Sequence, residues 1–535
     1  MRVVEIRELD GPNIFLLEPA IKVELDLGDD SEPELCERIS VAFGVDADEL
    51  GLALIEAVST LHERAGLESP STILAPLEVE NHVALAFGWS HRRAARAIAT
   101  AICDVLTGNS VGIESNAAEI AAIAGQFEAD DQPQLIRDSE RRIPTLGITG
   151  TNGKTTTTRL IAHMAQVAGM HPGWCSTSGV YIDGEEVLEG DYTGPSGARR
   201  VFDDARVDLA VLETARGGIL LRGLGYESND VSVFTNVSAD HLGLLGIETI
   251  EGLARVKSTV IAVTRPGGYA VLNARDPLVW AARELTRATV FAISADPTLP
   301  EIAEHLRSGL PSLVVEDACF VWKKGDERTE ITKLENIPVT FGGRAEHMVE
   351  NALCAAAAAL ALGIDPMDVR KGLQSFRSGS DQNPGRLNVY ELNGVTVVLD
   401  YAHNEAGLSH LLKLARGLAG DRGKVRMIVG AAGDRTDESI TELARMAGAE
   451  ADDVYLRETA KYLRGRADNN ALSQLYLNGL KLANREPVGI FPTEFEAVLE
   501  AIADSSAGDV VAAMAYEQPE ISRAWLVEQG AVAVS

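Results

Sequence analysis

Cysteine is scarce. The 535 residues hold five, at Cys36, Cys103, Cys175, Cys319 and Cys354. They stand far apart with no CxxC pair, which excludes a disulfide framework or a thiolate zinc site as the organising feature and fits free thiols in a reducing compartment. Positive charge is also short. Forty-eight Lys and Arg face 79 Asp and Glu, a formal charge of −31. Such a field repels nucleic acid and anionic lipid and gathers cations, Mg²⁺ and cationic small molecules among them. Long apolar runs are missing. The longest lies around Ala355–Leu362, far short of the roughly 20 residues that span a bilayer. The stretch from Met1 to Asp10 carries charges where a secretory signal needs an apolar core. The expectation is a cytoplasmic protein with neither membrane nor nucleic acid as partner.

Composition is otherwise ordinary, with 46% hydrophobic and 24% charged residues, which excludes disordered, collagenous and coiled-coil chains. No internal repeat or low-complexity tract stands out. At about 150 residues per domain the length allows three or four domains. The alternation of Ile21–Leu27 predicts a half-buried strand. Asp29–Glu34 reads as an acidic loop entering a helix. His91–Ile102 predicts an amphipathic helix with a basic cluster at His91, Arg92, Arg93 and Arg96. That cluster is either a solvated face or a grip on an anionic peptide. The polar, Pro-containing stretch 126–142 reads as a linker.

Beyond it the rhythm changes. Short apolar runs at Thr145–Thr149, Leu209–Glu213, Val231–Asn236 and Tyr269–Asn273 alternate with helical patterns, the signature of a parallel α/β sheet. After the break at Gln382–Gly385 the same rhythm returns at Val395–Asp400, Val425–Gly430, Asp453–Leu456 and Asp509–Met514. The fold class expected is α/β. It comprises an N-terminal α+β module (1–140), a P-loop central domain with a parallel sheet (141–382) and a Rossmann-like C-terminal domain (383–535).

The strongest local signal is Leu146-Gly-Ile-Thr-Gly-Thr-Asn-Gly-Lys-Thr-Thr-Thr-Thr158. A strand runs into a Gly-rich turn, then Lys-Thr, then a helix. Gly150, Thr151, Asn152 and Gly153 present backbone N–H groups to phosphate oxygens, and the helix start adds partial positive charge. Lys154 can reach the outer phosphates and the Thr155 hydroxyl can take Mg²⁺, with Thr156 following. The strict GxxxxGK[ST] pattern is missed by one position, because Ile148 stands where the first Gly belongs. Nucleotide binding follows; the reaction does not. Downstream, Glu213 ends an apolar strand, the next strand ends at Asn236 (a candidate cofactor contact) and is followed by Asp240 and His241, and Lys257 comes after. With the phosphate loop these make a set of hard ligands for Mg²⁺ facing a triphosphate.

Gly-Thr-Asn-Gly-Lys-Thr-Thr, Thr235-Asn-Val-Ser-Ala-Asp-His-Leu242 and Asp400-Tyr-Ala-His-Asn404 together resemble the Mur ligase family of ATP-dependent amide ligases. Within it the chain is most similar to the Mur-like half of cyanophycin synthetases. That likeness rests on Tyr181–Gly184, Gly190–Pro195, Leu212–Leu220, Asn383–Leu387, Leu463–Arg466 and the N-terminal Leu9-Asp-Gly-Pro-Asn-Ile14. The resemblance implies ATP and Mg²⁺ as cofactors. Thr155 and Glu213 would hold one Mg²⁺, Glu213 and His241 a second, and Lys257 would be the lysine that the family carbamylates. Asn351 would contact adenine, Asp400 the ribose with His403 beside it, and Arg386 the γ-phosphate. Asn273 and Asp276 match a family turn.

Three departures accompany the resemblance. Met348 replaces an Asn of the family's His-Asn-x-x-Asn, Glu405 replaces a Pro, and the linker occupies the place of an ATP-grasp module. The implied reaction is phosphorylation of a carboxylate by ATP, followed by attack of an amine to give an amide, ADP and phosphate, with Lys154, Mg²⁺ and Arg386 supplying positive charge. Arg216, Arg435, Arg464 and Arg466 are candidate clamps for substrate carboxylates, which guanidinium groups take bidentately, or else structural ion pairs. The partners implied are an amino acid donor, arginine under the closest likeness, and an acidic peptide or other carboxylate acceptor. A homo-oligomer or a partner ATP-grasp ligase stays open. So do a polyglutamate-type or cell-wall-peptide ligase and a silent nucleotide-binding scaffold.

Overall fold

A computed structural model describes all residues except 29–30, 46–48, 110–112, 127, 241, 380, 431–432, 434, 460–462, 464–467 and 535. Three sheets organise the chain. The first is antiparallel and four-stranded, in the order Arg2–Leu9, Ala20–Asp26, His82–Gly88, Thr72–Pro76. Its alternation works as expected: Ile21, Val23 and Leu25 face helices Leu50–Arg64 and Arg92–Leu106. Lys22 points to the other face and is held by Glu5 at 2.8 Å and Glu24 at 2.6 Å.

The second sheet has eleven strands. Its middle is parallel, from Pro311–Glu316 through Thr289–Ser294, Thr264–Asn273, Asn229–Phe234, Thr145–Thr149 and Leu209–Glu213 to Pro172–Ser176. These strands are apolar along most of their length because helices cover both faces. Antiparallel strands extend it at both ends, Gly179–Ile182 and Glu185–Glu189 on one side, Cys319–Lys324 and Glu327–Lys333 on the other. The sheet is therefore mixed rather than purely parallel, and its outermost strands are largely exposed and charged, as unpaired edges require. The longest apolar run of the sequence is the end of helix Glu346–Ala361, whose Ala352–Ala359 are all fully buried against the phosphate-loop helix and the sheet. Alanine lets these backbones approach closely.

The third sheet runs Gly489–Phe491, Asp453–Arg457, Val425–Val429, Val510–Met514, Val395–Asp400 in parallel, then Asn388–Leu392 and Val532–Ala533 antiparallel. Among the described residues no helix is long and apolar enough to cross a membrane. All five cysteines are buried as free thiols.

The stretch between the first two sheets is packed. Leu135 and Ile136 are buried, and Ile136 N donates to Gly225 O at 3.0 Å. The basic cluster serves this packing. Arg93 pairs with Asp131 at 2.7 Å, Arg92 with Glu8 at 3.1 Å and with Asp10, and Arg96 with Glu8 at 2.5 Å. Hydrogen bonds from Arg93 hold the Asp131 carboxyl well below its usual range. The basic side chains are thus engaged in intramolecular ion pairs, with Arg96 still exposed at the edge of the face. The Leu9–Ile14 motif has a matching cause: fully buried Asp10 accepts from Arg222 at 2.8 Å, and Leu224 N donates to Pro12 O at 2.8 Å.

Candidate functional site

The buried strand Thr145–Thr149 ends at Gly150. Gly150 has φ +148° and Gly153 φ +85°. A Cβ at Gly150 would collide with the Thr235 hydroxyl, and one at Gly153 with the Asn351 side-chain oxygen, so this turn admits only glycine at both places. Gly153 caps helix Lys154–Val167. Asn236 grips the loop from outside. Its Oδ1 accepts from Asn152 N at 2.9 Å, its Nδ2 donates to Asn152 O at 3.1 Å, and its backbone O accepts from Thr151 N at 2.8 Å. Thr235 Oγ1 donates to Asn152 O at 2.7 Å, and Asn273 Nδ2 steadies Thr235 O at 3.3 Å. Asp276 accepts from Val237 N at 2.7 Å. The loop is held in shape by the protein's own groups.

Charge gathers beside it. Lys154 Nζ curls back to Gly150 O at 3.1 Å and Thr151 O at 3.0 Å. Thr155 Oγ1 donates to Glu213 Oε2 at 2.9 Å and lies 3.2 Å from the Thr177 hydroxyl. Glu213 is 1% exposed, and among the described residues its Oε1 has no hydrogen-bond partner. Burial pushes the Glu213 carboxyl up, against the pull of Lys154 and Arg386. Lys257, on helix Ile250–Ala262, is buried with Nζ donating to Gly150 O at 2.7 Å. Burial, then the charge of Lys154, pushes its amine far below the usual lysine range. Among the described residues no three His, Cys, Asp or Glu converge, and His241 lies outside them. An orphan carboxylate oxygen beside a hydroxyl is nonetheless the hard donor set that Mg²⁺ takes.

The C-terminal sheet covers this edge. The Arg386 guanidinium lies 4.3 Å from the centre of the Tyr401 ring. Asp400 Oδ2 accepts from Leu387 N at 2.8 Å, and burial pushes its carboxyl up. Asn404 and Asn152 bond reciprocally, at 3.2 and 3.3 Å, across 252 positions of sequence. Asn383 reaches Thr156 at 3.3 Å. Arg435 pairs with Asp240 at 2.9 Å, and His403 Nε2 stands 3.9 Å from the same carboxylate. Arg435 is therefore an ion-pair partner between the two sheets. Arg216 Nη1 donates to Leu244 O at 2.9 Å. Arg464 and Arg466 lie outside the described residues. Asn351 abuts the phosphate loop and donates to Met348 Sδ at 3.6 Å, so the departing methionine itself meets Asn351. His347 faces His410, ring centres 4.7 Å apart, and burial pushes His347 down to about 3.

Sequence reasoning missed four groups. Asn383 and Asn404 stood in quoted motifs without a role. Arg159 stood in the helix following the loop, where its place four residues after Thr155 puts both on one face. Glu78, from the first sheet's side, accepts from Glu248 N at 2.6 Å, Thr249 N at 2.8 Å and Thr249 Oγ1 at 3.0 Å. It so anchors the start of the helix that carries Lys257, and nothing in its local sequence marks it.

A phosphate loop, a buried carboxylate on the neighbouring strand and a second α/β domain over the cleft define a two-domain P-loop nucleotide-binding protein. The Mur ligase middle domain matches residues 148–359 and the Mur ligase glutamate ligase domain residues 385–516. The chain belongs to the Mur ligase family, a family of ATP-dependent ligases. It is 40% identical over 363 residues to cyanophycin synthetase of Crocosphaera subtropica, covering 68% of this chain and 40% of that protein. It is 31% identical over 317 residues to the UDP-N-acetylmuramoyl-L-alanyl-D-glutamate--2,6-diaminopimelate ligase of Geobacter metallireducens, covering 57% of this chain and 58% of that one. The fold is shared with E. coli FolC in complex with DHPP and ADP, at TM-score 0.54 and 21% identity over 72% of this chain and 89% of that chain. The chain thus spans about two fifths of the length of the cyanophycin synthetases it matches.

Proposed function

We propose that this chain is an ADP-forming ligase that joins a carboxylate to the amine of an amino acid. The observation that carries the reading is Glu213. Its Oε1 is buried without a partner among the described residues, while Oε2 is tied to Thr155, beside Lys154. A carboxylate is a poor electrophile, and ATP converts it to an acyl phosphate that an amine can attack. Gly150–Thr156 would take the polyphosphate, with Lys154 as its cation. Asn351 would meet the base, and Asp400 with His403 the ribose. Thr155, Glu213, His241 and, once carbamylated, Lys257 would hold Mg²⁺, which when bound neutralises phosphate charge.

Arg386, aimed over Tyr401, would face the phosphoryl group from the C-terminal side. The reciprocal bond of Asn152 and Asn404 gives a contact that forms only when the two domains close. Closure keeps water from the acyl phosphate. The division at 1–140, 141–382 and 383–535 and a cytoplasmic setting belong to the same reading. The net charge of −31 suits a cationic donor such as arginine, and an aspartyl or glutamyl peptide is the acceptor class.

The test is a matrix of ATP and Mg²⁺ with each amino acid against short Asp- or Glu-containing peptides, read by phosphate release and product mass. One donor–acceptor pair is expected to gain the mass of an amide-linked amino acid. ATP bound tightly with no mass gain in any combination would overturn the proposal.

A further inference from the structure

The N-terminal sheet bears on helix Arg216–Arg222, where Arg7 Nη1 donates to Leu220 O at 3.1 Å and Asp10 N to Arg222 O at 2.8 Å. A separate contact is made by a single side chain. Glu78 lies in the turn between strands Thr72–Pro76 and His82–Gly88 and is half-buried. Its Oε2 accepts from Glu248 N at 2.6 Å and Thr249 N at 2.8 Å, and its Oε1 from Thr249 Oγ1 at 3.0 Å. Thr249 Oγ1 in turn accepts from Gly252 N at 3.0 Å and so caps helix Ile250–Ala262. A carboxylate at a helix start also meets the positive end of its dipole. A Cβ at Gly252 would strike the Glu78 carboxylate, so the helix is shaped to admit it. A cleft lined by Arg7, Leu220, Ile247 and Arg255 lies between the two contacts, so each can be removed without the other.

The helix so fastened carries Lys257 about 12 Å further along its axis, at 1.5 Å per residue. Lys257 Nζ meets Gly150 O at 2.7 Å, at the first glycine of the phosphate turn. In the other direction from Thr249, Leu244 O takes Arg216 at 2.9 Å, and Asp240 pairs with Arg435 of the third sheet at 2.9 Å. Glu78 thus pins the point from which the chain runs to Asp240 one way and to Lys257 the other. We propose that Glu78 is a positioning residue: from the N-terminal module, through Thr249 and the helix start, it sets the place of Lys257 against the phosphate loop. That Lys257 serves a reaction rests on the ligase reading. That Glu78 places Lys257 rests on the geometry of Glu78, Thr249 and Gly252 alone. Glutamine can repeat the three bonds, its Oε1 accepting from the two N–H groups and its Nε2 donating to Thr249 Oγ1. Alanine can make none of them.

The test compares full-chain variants. Glu78→Ala is expected to lower kcat about 10- to 100-fold, the range for a small misplacement at a reacting centre. The KM for ATP should stay unchanged, because Thr235 and Asn236 hold the loop. Glu78→Gln should recover most of the rate. Gly252→Ala separates positioning from helix stability. Alanine favours a helix over glycine, so a role in helix stability alone would leave kcat unchanged or raised, whereas a methyl that displaces the Glu78 carboxylate lowers it. The double variant should then fall no further than Glu78→Ala. Arg7→Ala, which removes a bond of the other contact, is expected to melt lower with its kcat intact. A second readout needs no turnover: acetic anhydride labelling of the ligand-free chain, followed by peptide mass at Lys257. Labelling should be faster in Glu78→Ala and Gly252→Ala than in the wild type or Arg7→Ala.

Unchanged Lys257 labelling in Glu78→Ala overturns the proposal. So does a loss of kcat in Glu78→Gln as deep as in Glu78→Ala, or an equal loss in Arg7→Ala. Ligation at the wild-type rate in Glu78→Ala removes the positioning role and keeps the ligase. Faster labelling in Glu78→Ala and Gly252→Ala, with no ligation by the wild type from any donor, keeps Glu78 as the anchor of Lys257 and removes the ligase.

Discussion

Two arginines are almost wholly buried near the carboxyl ends of the two large sheets, and they differ in what surrounds them. Arg457 ends strand Asp453–Arg457 at 1% exposure. It lies 3.6 Å from Glu494 and 3.4 Å from Glu517, over the ring of Tyr516 at 4.4 Å. Glu494 in turn accepts three backbone N–H groups, from Tyr516, Glu517 and Gln518, at 3.0 to 3.1 Å. Burial alone would lower the Arg457 pKa, but the charges around it outweigh burial and raise it. A Cβ at Gly430 would strike the guanidinium, so the neighbouring strand end is shaped around it. Among the described residues Arg159 forms no ion pair and feels Glu213 only at longer range, Glu213 has an orphan oxygen, and Lys257 donates to a carbonyl. The C-terminal cluster is electrostatically closed. The central one is open, and the open one adjoins the phosphate loop. Incomplete charge pairing weakens a fold and is retained where a ligand completes it.

The contrast predicts first that Arg457→Met is severe. It leaves Glu494 and Glu517 buried without their cation, and breaking a buried pair costs about 3–5 kcal/mol. Denaturant unfolding of the variant should show that loss as a lower midpoint at unchanged slope. Arg159→Met, measured the same way, should show no loss or a gain. Equal losses at the two sites would abolish the distinction.

The second prediction concerns Lys257. Lys257→Ala should lower ligation by about 10²- to 10³-fold, the scale of removing one electrostatic group from a catalytic site, while leaving stability close to the wild type. A small carboxylate added to the assay should restore part of the activity, since the position would then hold an oxygen ligand again. Full activity without it would take Lys257 out of the metal shell and leave the open cluster one member smaller.

How much of this was readable beforehand follows from what sequence spacing can carry. Thr145–Thr149, Leu209–Glu213 and Val395–Asp400 form strands with the expected bounds, because interior parallel strands are unbroken apolar runs. The flanking strands Gly179–Ile182, Glu185–Glu189 and Glu327–Lys333 were not read. Glu185–Glu189 and Glu327–Lys333 are largely exposed and charged and lack the apolar signal, and the buried Gly179–Ile182 is only four residues long. Gly150 to Thr155 were legible because a phosphate turn needs those residue types at that spacing. The bond of Asn152 to Asn404, the hold of Glu78 on Thr249 and the pairing of Arg435 with Asp240 were not. Each joins segments at least 170 positions apart, and a single side chain leaves no periodic trace of a distant partner.

The smallest predicted effect lies where closed and open clusters meet. Asn404 does two things with one carboxamide. Its Oδ1 caps helix Glu405–Ala419 by accepting from Gly407 N at 2.9 Å, and the same amide exchanges bonds with Asn152 in the phosphate loop. Asn404→Ala loses both, and an N-cap is worth about 1 kcal/mol. Asn404→Asp keeps an acceptor for the cap and for Asn152 Nδ2 but cannot donate, so its stability should lie within a few tenths of a kcal/mol of the wild type. A neutral amide bond contributes about 0.5–1.5 kcal/mol. If that bond holds the two domains together over ATP, Asn404→Asp should raise the KM for ATP about two- to tenfold with the fold intact. Asn152→Ala should then add little in the double variant, because both substitutions remove one interaction. Full additivity would mean that the two side chains act independently and that Arg435 with Asp240 carries the contact between the domains.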